Sequence, residues 1–80
     1  MRDRSILENP KHVRIDDLIA LCERYFGSPR IAGSHHIFKM PWSGDPRINL
    51  QRDGSFAKPY QVKQVAKAID RWEGEYGRKT

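Results

Sequence analysis

Gly33-Ser34-His35-His36-Ile37-Phe38-Lys39-Met40 is the stretch on which the reading of the chain turns. A Gly-Ser pair reads as a turn, because glycine accepts positive φ and serine can hydrogen-bond its own backbone. The apolar and basic residues that follow read as a strand from His35 to Trp42. Successive side chains in a strand point to opposite sides. His36, Phe38, Met40 and Trp42 therefore share one side, and His35, Ile37 and Lys39 the other. Two titratable imidazoles stand at the entry to this strand, one on each side of it, with a lysine close behind.

Working outward, Arg30 to Ala32 supplies a short strand before the turn. Arg47 to Gln51 supplies a third, with Ile48 and Leu50 facing a core and Arg47, Asn49 and Gln51 facing out. Ser43-Gly44-Asp45-Pro46 is the loop between them, with Asp45 read as a turn residue, and Asp53-Gly54 is a further turn. A first helix spans Asp16 to Phe26. Asp16 suits its N-cap, Asp16 and Asp17 suit the positive end of its dipole, and Gly27 ends it. Ile15, Leu18, Ile19, Cys22, Tyr25 and Phe26 recur at three- and four-residue spacing and form its apolar stripe. A second helix runs from Pro59 to about Trp72, buried through Val62, Val65, Ala66, Ile69 and Trp72. Tyr60, in its first turn, reads as packing. Lys63, Lys67 and Arg71 stand at four-residue steps on another side, either a solvated stripe or a phosphate track.

The order helix, three strands, helix defines an α+β class. A three-stranded antiparallel sheet with both helices on one face is the plan of a double-stranded-RNA-binding-like domain, a fold that tracks phosphates and 2′-hydroxyls. The chain reads as one domain, with an arm over residues 1–14, a core over 15–73 and a polar tail over 74–80. Within the arm, Ile6 and Leu7 are the residues fit to pack on the core, the rest being expected to be mobile, and Asn9-Pro10 is a turn signal. The hydrophobic fraction of 38% suffices for a modest core. A net charge of +5 favours a polyanionic partner, nucleic acid or an acidic protein. One cysteine, Cys22, excludes an internal disulfide, and its place on the apolar stripe makes it a small core residue. No apolar run is long enough to span a membrane and no signal-peptide pattern is visible, so the expectation is a cytoplasmic protein with no membrane partner.

The segment from Asp16 to Trp72 resembles the HicA family, the toxin half of a bacterial toxin–antitoxin pair. The likeness is carried by Gly33-Ser34-His35-His36-Ile37-Phe38, which matches the family's Gly-Ser-x-His pattern after a first helix and short strand. The helix that starts at Lys58-Pro59 and carries Val62, Val65 and Ile69 matches its closing helix. The resemblance implies an mRNA interferase that cleaves mRNA without a metal and is silenced by a cognate HicB-type antitoxin. It places the catalytic histidine at His36 and the variable position at His35. The family's Pro-x-His element after the third strand is replaced here by Leu50-Gln51-Arg52.

Metal-free RNA cleavage needs a base for the 2′-OH, an acid for the departing 5′-oxygen and a cation for the phosphorane charge. His36 is the candidate acid or base, with Lys39 or Arg47 as the cation. His35 can join it only if a twist or bulge brings both rings together, since neighbours in a regular strand point apart. Ser34, Lys39, Arg47, Lys63, Lys67 and Arg71 are the candidate RNA contacts; Phe38, Met40 and Trp42 read as core or sheet surface, with Trp42, beside Lys39 and Arg47, the one that could stack on a base. No metal or other cofactor is expected, His12 and Asp45 being isolated. The alternatives are a non-catalytic RNA-binding module of the same fold and a small basic protein that docks on an acidic protein surface.

Overall fold

The computed structural model describes residues 4–44 and 46–75. Two short 3-10 turns, Arg4–Glu8 and Pro10–His12, precede helix α1 (Ile15–Phe26). Strands β1 (Arg30–Ala32), β2 (His35–Lys39) and β3 (Arg47–Gln51) follow, and helix α2 (Pro59–Glu75) ends the described part. The architecture is the expected α-β-β-β-α. The sheet is antiparallel in the order β1-β2-β3, so β2 is bonded on both edges. Its register is regular, with Ile37 opposite Arg30 and Asn49, and Phe38 opposite Ile48.

The alternation along β2 and β3 settles which face is covered. Phe38, Ile48 and Leu50 are buried, as is Met40 just past β2, while Lys39, Arg47, Asn49 and Gln51 are exposed. Both helices therefore lie over the Phe38 face, α1 against β2 and α2 against β3. The opposite face is open. The core adds Ile15, Leu18, Leu21 and Cys22 from α1 and Val62, Val65 and Ile69 from α2. At the far ends of the helices Tyr25 Oη donates to Glu73 Oε2 at 2.9 Å, and the Tyr25 and Trp72 rings meet edge to face at 5.2 Å.

Local chemistry explains most of the boundaries. Gly27 takes φ 87°, open to glycine at little cost, and its N–H donates to the Glu23 carbonyl at 3.1 Å to close α1. Gly33 takes φ 62° in the turn between β1 and β2. At the start of α2, Gln61 Oε1 accepts from the Lys58 N–H at 3.0 Å, half of a capping box, and the side chain is only 1% exposed. An antiparallel bridge between Arg14 and Phe56 ties together the segments that lead into the two helices. Its neighbours bond too, with Ala57 N–H to Val13 O at 2.8 Å and Ile15 N–H to Ser55 O at 2.9 Å.

Several details differ from the sequence expectation. Helix α1 begins at Ile15, so Arg14 is the cap position and carries no side-chain cap bond, and Asp16 lies inside the first turn. Strand β2 stops at Lys39: Met40 N–H still donates to the Pro46 carbonyl opposite it, at 3.1 Å, but Pro46 has no N–H to return the second bond of the pair. In α2, Gln61 and Ala68 are buried while Ala66 and Trp72 are only half-buried, and the helix continues through Gly74 to Glu75. In the segment read as an arm, Ile6 and Leu7 lie against the core as expected, but the rest is not loose: Arg4–Glu8 and Pro10–His12 form 3-10 turns that pack on the helices. Asp45 and the rest of the expected tail lie outside the described residues. Among those residues, no helix is long and apolar enough to cross a membrane.

Phe38→Ala should cost about 3–5 kcal/mol in urea melts, because the ring is fully buried in the central strand. Ile37→Ala, on the open face, should cost far less. Equal losses would contradict the one-sided core. Burial, with the charge of Glu23 adding to it, pushes the Cys22 thiol from 9.0 up to about 12. The folded chain thus holds this proton more tightly than the unfolded one. The resulting stability is complete below pH 9 and fades as pH rises toward 12. The stability gap between the parent chain and Cys22→Ala should therefore shrink above pH 9. Below that pH, alkylation of Cys22 should follow global unfolding; rapid labelling of the native chain would contradict its burial.

Candidate functional site

The regular pleat of β2 sends the two histidines to opposite faces of the sheet. His36 lies on the covered face, opposite Leu50 of β3 and Ile31 of β1. It is half-buried, and its Nδ1 is buried with no hydrogen-bond partner among the described residues. Such orphaned polar atoms are rare in folded proteins. Beside it the chain passes through Ser34, whose carbonyl accepts from the Arg52 N–H at 2.9 Å. Arg52 follows Leu50 by two residues, and its guanidinium pairs with Asp16 in the first turn of α1. A diagonal neighbour of this kind lies on the order of 7–8 Å away across a strand pair. The surroundings of His36 are thus the Gly-Ser turn, a partly exposed arginine and Ile31, which is 63% exposed on the edge strand.

His35 lies on the open face. Its ring shares a hydrogen bond with Asn49, Nδ1 to Oδ1, at 2.9 Å. A groove of about 370 Å³ runs beside it, lined by His35, Arg47, Asn49 and Gln51 of the sheet and by Tyr60 and Gln64 of α2. A second groove of about 280 Å³ is lined by Ser28, Arg30, Ile37, Lys39 and Arg47. Arg47 belongs to both. Among the described residues, none that lines either groove is a carboxylate.

This arrangement corrects two sequence expectations. No bulge brings His35 to His36, so the two cannot act on one atom. Lys39 and Arg47, expected beside His36, stand on the opposite face with His35. Trp42 packs against the core, as its reading as core or sheet surface had it, and leaves the stacking alternative aside: its ring meets Phe26 edge to face at 6.5 Å and lies 4.7 Å under the Arg71 guanidinium. Arg71 also binds Glu75 at 3.0 Å, which interrupts the expected track. Lys63 and Lys67 are exposed on α2. Tyr60, Gln64, Lys67 and Arg71 recur at i, i+4, i+7 and i+11 and share one flank of α2, whereas Lys63 is rotated further away.

Tyr60 was expected to pack, yet it is 63% exposed and borders the groove. Phe56 is 51% exposed under the Arg14 guanidinium, 5.6 Å away. Arg52 enters the sequence reading only as part of Leu50-Gln51-Arg52, where the family has Pro-x-His, and Gln64 carries no motif. The helical phase of Gln64 with Tyr60 was the available signal. No group of three or more histidine, cysteine or acidic side chains able to hold a metal occurs among the described residues. Comparisons with protein-family models, curated proteins and solved structures find no match.

The orphaned nitrogen makes a stability prediction. Replacing it with an apolar ring removes a buried group that forms no bond with the described residues. His36→Phe should leave urea stability within about 1 kcal/mol of the parent or raise it. A larger loss would mean that the imidazole holds the fold together.

Proposed function

We propose that the protein is an RNA endonuclease of the mRNA interferase kind and that His36 carries its proton transfer. The observation that carries this reading is the half-buried imidazole with an orphaned Nδ1, next to the Gly-Ser turn of a small basic domain. Support for the reaction class comes from the resemblance of Gly33-Ser34-His35-His36-Ile37-Phe38 to the HicA pattern. With Nδ1 shut from solvent, Nε2 is the nitrogen that meets the substrate. The 2′-oxygen attacks phosphorus as the bond to the 5′-oxygen breaks, leaving a 2′,3′-cyclic phosphate and a 5′-hydroxyl. One proton leaves the 2′-oxygen and one reaches the 5′-oxygen; His36 serves one of these transfers and water the other. Arg52 is the cation on the same face, standing where the family pattern has its second histidine, and it draws the phosphorane charge. Arg52 thus takes the role assigned from the sequence to Lys39 or Arg47.

Under this reading the partners are mRNA and a HicB-type antitoxin, in the cytoplasm. The antitoxin would silence the toxin by covering the Gly-Ser turn and the exposed Ile31 beside it.

Cleavage of RNA in the presence of EDTA should occur with the parent chain and fall at least a hundredfold in His36→Ala, with RNA affinity kept. Arg52→Ala should slow cleavage while leaving His36-dependent activity measurable. RNA binding without cleavage by the parent chain would contradict the enzyme and leave a binding module. Affinity should also fall as salt rises, in proportion to the phosphates contacted.

A further inference from the structure

We propose that the groove between β3 and the first turns of α2 is a subsite for one unpaired nucleotide of an RNA. The proposal rests on the reading that RNA is the partner, but not on cleavage.

The lining chemistry selects the ligand. Asn49, Gln51 and Gln64 each bring a carboxamide, with a donor and an acceptor in one plane. Such groups match the polar edges of a nucleobase. Tyr60 adds an exposed aromatic face, on which a base can stack. Arg47 supplies a guanidinium suited to phosphate. An acidic peptide would engage the arginine and leave the aromatic face and three amides without a purpose. The His35–Asn49 hydrogen bond, at 2.9 Å, fixes two of the lining side chains to each other. His35 is thus a binding and positioning residue, not a catalytic one.

The second groove gives the strand a direction. It meets the first at Arg47 and carries Lys39 and Arg30 across the open face. A base held at Tyr60 directs its phosphate to Arg47 and the next phosphates toward Lys39 and Arg30. A base locked in a duplex cannot turn its edge into the groove, so the subsite selects single strands. His36 lies on the other face of the sheet, so this contact governs affinity and sequence preference and not the chemical step.

The test is fluorescence anisotropy with a labelled single-stranded RNA oligonucleotide and its duplex, in the His36→Ala background so that cleavage cannot interfere. Tyr60→Ala should weaken single-strand binding about tenfold or more, and Tyr60→Phe should restore it, because stacking needs only the ring. Duplex binding should change little. Lys63→Ala, away from the groove, should cost less than Tyr60→Ala. Unchanged single-strand affinity in Tyr60→Ala would overturn the subsite even if the parent chain cleaves RNA. Equal losses for duplex and single strand would overturn its selectivity. A polyglutamate probe that binds as tightly as RNA, with Arg47→Ala weakening both and Tyr60→Ala neither, would assign the face to an acidic protein instead. Tyr60-dependent binding by a parent chain that never cleaves would support the subsite and refute the enzyme.

Discussion

The pleat of β2 is the constraint on which the rest depends. The strand is bonded on both edges, so a slip of one residue would break two ladders and move Phe38 from the core to solvent. Burial of Phe38 therefore fixes which side of the sheet each histidine occupies. Once Phe38 faces the helices, His36 must face them too, and His35, Ile37 and Lys39 must face away. Register in β3 follows through the same pairing: Ile48 and Leu50 go inward, and Arg47, Asn49 and Gln51 outward. A packing requirement in the core thus distributes the polar chemistry between two faces.

That distribution separates two tasks. The covered face offers one imidazole whose buried Nδ1 has no partner among the described residues, beside a turn and an arginine anchored to the start of α1. A domain of 80 residues has little stability to spare, so an unsatisfied buried atom at this place is a cost that calls for a use. The open face offers cations, amides and a tyrosine, with no carboxylate among the described residues that line its grooves. In the reading proposed for this chain, the first is the place of reaction and the second the place of attachment.

The element order and sheet were legible in the sequence because the local signals agreed. Period-two alternation marked β3, the three- and four-residue spacing marked both helices, and Gly27 and Pro59 marked their ends. The opposite orientations of His35 and His36 were legible for the same reason. The groupings across elements were not. That Lys39 and Arg47 part from His36 follows from alternation, but the sequence drew them together as charges without weighing faces. Arg52 gains its position from a backbone bond to Ser34 and a pair with Asp16, contacts between distant segments that no local pattern announces. Gln61 was passed over because a buried glutamine reads as surface until its cap bond is seen. Trp42 was legible as core or sheet surface, but not its partners, Phe26 and Arg71, which come from two helices.

The division of labour between the faces of β2 is tested most directly by single-turnover cleavage of one single-stranded RNA across a range of protein concentrations, comparing His36→Ala with His35→Ala. The account predicts that His36→Ala loses the cleavage rate at saturation while half-saturation stays near that of the parent. It predicts that His35→Ala keeps the saturating rate and shifts half-saturation to higher concentration. Loss of the saturating rate in His35→Ala, with His36→Ala still active, would contradict it and move the chemistry to the open face.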